Sequence, residues 1–427
     1  MRVLITTHAD SVGFSSMVPL AWALRNAGHE VRVATQPALT EEVVMSGLTA
    51  VPVGEDHRFP KLEEWSSEHE DEDDPLLDLL TSRPEDVEWE LFSEVYTDSV
   101  NWWWKVVNDP WVAELVGFCR WWGPDLVLWE PVSFAGGVAA EVVGAVHGRV
   151  LWGMDLLGRM RSRFVDALAA RGGGRDPLAE WLGDRAGRAG GVFSERMVRG
   201  HFTVDPLPEV LGLGAVAGVE RVPVRYVPYN GAAVVPEWVH RGPDGRPVRL
   251  CVDLGAHPER MGGFAVPVDE VVAAMGRVDA EVLVRLPARS VSGLTELPGN
   301  VRLVEPGELP LHVLLPECEA LIGHGAPDAV MTAVAAGIPQ GFLPQKYYLD
   351  APLLAERLVA LGAGVRGDET APSDGDALVA MAEALLGDAG LREGAAAARA
   401  LVEAEPTPVA LVAEIEALVE KHRTAAP

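Results

Sequence analysis

The opening residues alternate short apolar runs with amphipathic ones, and this alternation limits the fold more than any other feature. Residues 2–7 form a short, partly β-branched run that ends at polar His8 to Ser11, the mark of a buried strand. Residues 17–26 carry Val18, Leu20, Ala21 and Leu24 as an apolar stripe that Gly28 terminates, which reads as a helix. Residues 30–35 alternate as a second strand. Thr40 then caps a second helix over 40–46, with acids following it, and 51–53 is a third strand. Strand, helix, strand, helix, strand predicts a parallel, doubly wound sheet. It resumes with a strand at 125–129 closed by Glu130-Pro131, a helix at 134–143 and a strand at 149–152. Residues 226–247 are rich in Pro and Gly and read as a linker. A second series follows: strands at 248–254, 280–286, 301–304 and 320–322, helices at 268–276, 311–315 and 329–336. The expectation is two doubly wound α/β domains, residues 1–225 and 248–410. A helix and tail at 411–427 return to the first domain. Such sheets bind ligands at the carboxyl ends of their strands, here in a cleft between the halves.

Charge removes several classes of partner. Lys and Arg number 35 against 63 Asp and Glu, a formal charge of −28. That surface repels phosphate backbones and anionic lipid, so neither nucleic acid nor membrane is expected. Cys119, Cys251 and Cys318 lie far apart and suggest a reducing, cytoplasmic setting rather than a disulfide framework. No run of eighteen apolar residues is present, and the amino-terminal run, broken by His8 and Asp10, does not read as a signal peptide. Walker A, HExxH and GxSxG motifs are absent. The glycines at 212, 214 and 218 have the wrong spacing for a dinucleotide fingerprint. The acidic run at 63–74 reads as a solvated loop, with no ligand geometry for a metal. Residues 171–175 and 183–191 read as loops, being rich in Gly and Arg. Residues 76–122 read as helices dense in tryptophan. Trp102, Trp103 and Trp104 cannot share one helix face, since neighbours lie about 100° apart.

The stretch from Leu321 to Gln340 runs a strand into His324-Gly325 and then a helix. A helix start offers free N–H groups and positive partial charge to a phosphate, though a plain strand-to-helix turn has the same pattern. Here a resemblance becomes visible. The chain resembles the two-domain GT-B glycosyltransferases of bacterial secondary metabolism, and within them those that place dTDP-activated deoxysugars on macrolide or aromatic polyketides. The resemblance rests on Met17-Val-Pro-Leu-Ala-Trp, Pro124-Asp-Leu-Val-Leu-Trp-Glu-Pro and Leu151-Trp-Gly-Met-Asp155. It continues through Tyr229-Asn-Gly, Leu309-Pro-Leu-His, Gly323-His-Gly, Gly337-Ile-Pro-Gln and Asp350-Ala-Pro, to about residue 415.

The resemblance implies a GT-B fold with two Rossmann-like domains, the acceptor on the first and the nucleotide sugar on the second. Sugar transfer would invert the anomeric carbon and use a general base, with the dTDP-sugar as co-substrate and no cofactor or metal. Leu309 would meet the thymine through its backbone, His324 and Gly325 the diphosphate, and Asp350 the sugar hydroxyls. A P450-like auxiliary protein and a second copy of the chain are the partners it suggests besides the polyketide. Glu130 and Asp155, at strand ends, are candidate bases or acceptor contacts, with Phe14, Trp129 and Trp152 as further acceptor contacts.

This chain departs from the family pattern at five points. Gly13 stands where the family has its histidine base, and His8 and Asp10 in the same loop are the candidate replacements. His257 stands for a phosphate-binding hydroxyl, Ala326 and Asp328 interrupt the diphosphate turn, and Ala351 replaces a glutamine. Asp328 would repel a diphosphate unless it turns away as a cap. The alternative these changes raise is a degenerate relative that binds a polyketide-type ligand. It would catalyse a cyclisation or rearrangement, or act as a non-catalytic partner.

Overall fold

The computed structural model describes residues 1–59, 61, 88–240, 248–255, 266–287, 290, 296–343, 350–367 and 374–424. Among these residues the chain forms two compact units. One runs from Met1 to Arg225 and takes back the chain from Pro406 onward, and the other is Tyr226–Glu405.

The first unit is built on seven parallel strands: β1 (Arg2–Thr6), β2 (Glu30–Thr35), β3 (Ala50–Pro52), β4 (Leu126–Trp129), β5 (Val146–Val150), β6 (Phe202–Asp205) and β7 (Glu220–Pro223). Their order is β3-β2-β1-β4-β5-β6-β7. Val3, Leu4 and Ile5 are buried, as a central strand covered on both faces requires. The order reverses between β1 and β4, so the loops that leave them open side by side. The closing helix, Pro408–Thr424, buries Leu411, Ile415 and Leu418 within this unit. Arg225 N–H donates to the Pro406 carbonyl at 2.7 Å, and Lys421 pairs with Glu220 at 2.6 Å.

The second unit holds six parallel strands: β8 (Arg249–Asp253), β9 (Glu281–Arg285), β10 (Val301–Val304), β11 (Ala320–Gly323), β12 (Gln340–Phe342) and β13 (Gly364–Arg366). Their order is β10-β9-β8-β11-β12-β13, and the reversal here falls between β8 and β11. Leu250, Val252, Val282, Val284 and Ile322 form the centre of its core.

Several elements differ from expectation. The first helix is Ser11–Asn26, six residues longer at its start than the apolar stripe suggests, because the Asp10 carboxylate caps it. The loop expected at 183–191 is largely helix. Pro177–Arg188 starts with Pro177 in its first turn and Asp176 as N-cap, which outweighs the cost of Gly183 and Gly187. Helix Leu156–Ala170 buries Arg161, whose guanidinium binds Asp176 and the Tyr96 hydroxyl at 2.9 and 3.0 Å. Trp102, Trp103 and Trp104 sit in a π-helical turn and diverge: Trp104 is buried, Trp103 stacks on Phe59 and Trp102 is 66% exposed. The three cysteines are buried free thiols. Among the described residues, no helix is long and apolar enough to cross a membrane.

Candidate active site

In the first unit, the strand reversal brings the loop after β1 against the end of β4. Thr6 lies beside Trp129 in the register, so His8 and Glu130 follow from neighbouring strand ends. His8 Nδ1 is 2.8 Å from Glu130 Oε1. The Glu130 side chain is fully buried, and an unpartnered carboxylate there would cost several kcal/mol. It is satisfied on every side. Val132 N–H donates to Oε2 at 2.9 Å, and the Ser133 hydroxyl donates to Oε1 while accepting the His8 N–H at 2.7 Å. Burial alone would push the Glu130 carboxyl up. His8 and these hydrogen bonds together hold it below the usual carboxylate range. An ionised carboxylate only accepts, so the network assigns the proton to His8 Nδ1 and the neutral ring's lone pair to Nε2. The His57 ring lies 5.5 Å away, its pKa lowered to about 4 by burial and by His8.

Gly13 explains why this dyad has room. A Cβ built there would lie 3.2 Å from Asp10 Oδ2 and 3.3 Å from Glu130 Cγ. A side chain at residue 13 would therefore press on the carboxylate that His8 now holds. Asp10 spends its carboxylate on the helix start, accepting the Gly13 N–H at 2.7 Å. Asp155 is also committed to structure. It takes two bonds from buried Arg149, at 2.9 and 2.5 Å, and caps helix Leu156–Ala170 through Gly158 N–H at 2.9 Å. Phe14 and Trp129 are buried in the unit's own core, and the Trp129 indole N–H donates to His147 Nδ1 at 3.2 Å. Their enclosure leaves half-buried Trp152 as the accessible member of the expected acceptor contacts.

In the second unit, β11 ends at Gly323 and the chain turns through His324 and Gly325 into helix Pro327–Ala336. Gly325 has φ +85°, and a Cβ added to it would come within 3.0 Å of Ala351 Cβ, so the turn packs tightly on that small residue. A small recess lies here, lined by Asp253, Gly255, Gly323, His324 and Gly325. Its walls are the ends of β8 and β11, the strand β12 and the helix start. Asp253 and Arg285 are register partners on β8 and β9, and Arg285 Nη1 donates to Asp253 Oδ1 at 3.0 Å. Asp328 is the second residue of helix Pro327–Ala336. Burial, then Asp253, push its carboxyl up, and Arg285 and the nearby backbone N–H groups only partly offset them.

The other donor-side residues fall as follows. Leu309 has its side chain in the core. Asp350 is buried immediately before helix Ala351–Ala360. His257 lies outside the described residues. Asn230, of the Tyr229-Asn-Gly motif, accepts the His312 N–H at 3.0 Å and donates its own N–H to His312 Nδ1 at 3.1 Å. Ser133, Asp253 and Arg285 carry no signal in the sequence beyond their place at or just past the ends of β4, β8 and β9.

Comparison with known proteins shows the family and the fold. Two family models, the N- and C-terminal domains of erythromycin biosynthesis protein CIII-like proteins, match residues 22–255 and 269–418. The chain is 39% identical to a 10-deoxymethynolide desosaminyltransferase of Streptomyces venezuelae, over 99% of this chain and 98% of the relative. It is 40% identical to an erythronolide mycarosyltransferase of Saccharopolyspora erythraea, over 99% and 100%. The crystal structure of the glycosyltransferase VinC in complex with dTDP superposes with a TM-score of 0.86 at 32% identity, covering 99% of this chain and 100% of that one. The chain therefore belongs to the erythromycin biosynthesis protein CIII-like family and is a glycosyltransferase of the GT-B fold.

Proposed function

We propose that this chain moves a deoxysugar from a dTDP-sugar to a hydroxyl group of a polyketide-type aglycone, inverting the anomeric carbon, with His8 as the general base. The observation that carries the reading is the His8–Glu130 pair at the strand reversal of the first unit. Support for the two substrate classes comes from relatives named for 10-deoxymethynolide and erythronolide and from a dTDP complex of a structural neighbour.

The acceptor O–H gives its proton to His8 Nε2 as its oxygen bonds to the anomeric carbon. The carbon–oxygen bond to the diphosphate breaks, and its electron pair leaves with dTDP. Glu130 stays ionised, orients the ring and stabilises the imidazolium, which makes it a positioning residue. Trp152 is the acceptor contact of this reading. His324 and Gly325 serve the diphosphate, Asp350 the sugar and the Leu309 backbone the thymine. The same reading carries with it a cytoplasmic setting, a second copy of the chain and a P450-like auxiliary protein, for which exposed Trp102 is the first place to look.

The test is a transfer screen of macrolactone and anthracyclinone aglycones with dTDP-deoxysugars, read by mass spectrometry, beside dTDP calorimetry. Transfer by the native chain is expected, with dTDP affinity unchanged in His8→Ala while kcat/KM falls about 10²–10⁴-fold. Glu130→Gln is expected to lower kcat less and to move the acid limb of the pH profile downward, because the imidazolium loses its counter-charge. Absence of both transfer and dTDP binding would sink the function. Unimpaired transfer by His8→Ala would sink the base assignment alone.

A further inference from the structure

Two fully buried side-chain amides, Gln36 and Asn108, hold the loops that carry the His8–Glu130 pair. A buried amide costs stability unless its oxygen and both N–H groups find partners, and these two find them all. Gln36 directly follows β2. Its Oε1 accepts the Ala9 N–H at 3.0 Å, and its Nε2 donates to the carbonyls of Glu55 at 3.0 Å and Val107 at 3.3 Å. Asn108 ends the short helix Lys105–Asn108. Its Nδ2 donates to the carbonyls of Trp104 and Val132, both at 2.8 Å, and its Oδ1 accepts the Ala135 N–H at 2.9 Å. These bonds fall on the peptides next to the reacting groups. Ser133 takes the N–H of His8 at 2.7 Å and Gln36 takes that of Ala9, so the peptides on both sides of the His8 Cα are held. Each peptide is planar, so holding both sets the direction in which the imidazole leaves the backbone. On the other loop, the Val132 N–H holds Glu130 Oε2, and Asn108 holds the Val132 carbonyl.

Resting on the assignment of His8 as the base, we propose that Gln36 and Asn108 are positioning residues for sugar transfer: Gln36 sets the backbone of the base, Asn108 sets the loop of its carboxylate, and both work from one anchor, helix Lys105–Asn108. Val107 and Asn108 are neighbours in that helix. Loops 122 positions apart in the chain therefore refer to the same short piece of backbone, and the separation of His8 and Glu130 is set by this frame as well as by their own bond. Gln36 also ties in the loop of Glu55, and with it His57, whose ring lies 5.5 Å from that of His8. Neither amide can take the acceptor's proton, since an amide has no basic lone pair and its N–H groups are engaged by carbonyls. What they supply is orientation, where a misplacement of about 1 Å costs on the order of 10²-fold in rate.

The experiment is a double-mutant cycle on the full chain, using the aglycone and dTDP-deoxysugar that transfer fastest in the screen of macrolactones and anthracyclinones. Gln36→Met and Asn108→Leu, both near-isosteric and apolar, are made in the native chain and in His8→Ala, with folding checked by circular dichroism. In the native chain each should lower kcat about 10–100-fold, while the acceptor KM and the dTDP affinity stay within about threefold. In His8→Ala no base remains to be placed, so each should lower the residual rate less than about twofold. Gln36→Glu keeps an acceptor for the Ala9 N–H and should be at least about fivefold faster than Gln36→Met. Should an apolar variant fail to fold, Gln36→Asn or Asn108→Ser, which keep a polar group at shorter reach, carries the cycle. Equal losses in the two backgrounds, or native kcat in Gln36→Met and Asn108→Leu, would overturn the positioning role and leave His8 as the base. Undiminished transfer by His8→Ala, or no transfer by the native chain, would overturn the assignment beneath it and the positioning role together.

Discussion

The turn after β1 and the turn after β11 are built alike. Each leaves a central strand at the point where its sheet reverses strand order, and each feeds into a helix with an aspartate at its start. The position of that aspartate differs. Asp10 stands one residue before its helix, and its carboxylate caps Gly13. Asp328 is the second residue inside its helix, where burial and Asp253 push its carboxyl up. The first arrangement stabilises a helix and leaves the nearby buried Glu130 to His8. The second places an acid inside the helix start, in the field of Asp253 and Arg285. On the proposed function, the first turn supplies its base through His8 and Glu130.

The largest expected effect tests that base. His8→Ala should abolish most transfer, and Gly13→His added to it should restore part, because residue 13 points toward the same Glu130. Gly13→His alone should gain nothing, since its ring would crowd the carboxylate that His8 holds. Steady-state kcat/KM of the three variants checks this. Equal activity of the His8→Ala single variant and the double variant would show that Glu130 cannot serve a base at residue 13.

Asp155 supplies a third aspartate at a helix start, this time locked to a buried guanidinium. Asp155→Ala should destabilise the first unit by about 3–5 kcal/mol, the typical cost of leaving a buried charge without its partner. Denaturant melts should report it. A loss below about 1 kcal/mol, with activity abolished, would return Asp155 to the candidate bases.

The two doubly wound sheets were legible because buried parallel strands and amphipathic helices alternate with different periods. What the sequence hid has physical causes. Strands β6 and β7 are four residues each, and β7, Glu-Arg-Val-Pro, is mostly polar. The stripe of helix Leu156–Ala170 is disguised by its arginines, and Arg161 is buried there only because Asp176, Glu195 and Tyr96 receive it. At the site, His8 and Glu130 were each visible as strand-end residues. Their pairing spans 122 positions and becomes apparent only when β1 and β4 are known to be neighbours. Asp253 and Arg285 are hidden for the same reason, a register across β8 and β9. Asp328 was legible as a misfit charge, but its place beside Asp253 and Arg285 needed coordinates.

The stability of the first unit should also respond to pH. His57 and His201, both in the first unit, have pKa values lowered to about 4, chiefly by burial and then by His8 and His147 respectively. Their folded values lie below the unfolded ones, so the unfolded chain binds more protons between about pH 6.5 and 4. Stability is complete above that window and is lost as pH falls through it. Each ring contributes at most about 1.4 kcal/mol per pH unit, and less because both are only partly buried. Denaturation midpoints at pH 7 and 5 should therefore converge in a His57→Asn, His201→Asn double variant.

The smallest effect separates the two aspartates. Asp10→Ala removes an N-cap and should cost about 0.5–2 kcal/mol of stability, with Asp10→Ser recovering most of it through a hydroxyl cap. Neither change should alter dTDP affinity, and kcat should fall only as far as the start of helix Ser11–Asn26 frays beside His8. Denaturant midpoints and kcat measured on the same samples make the comparison. If Asp10→Ser regained stability but not kcat, the Asp10 carboxylate would share the proton with His8. The first turn would then use the acid at its helix start for chemistry and not only for capping.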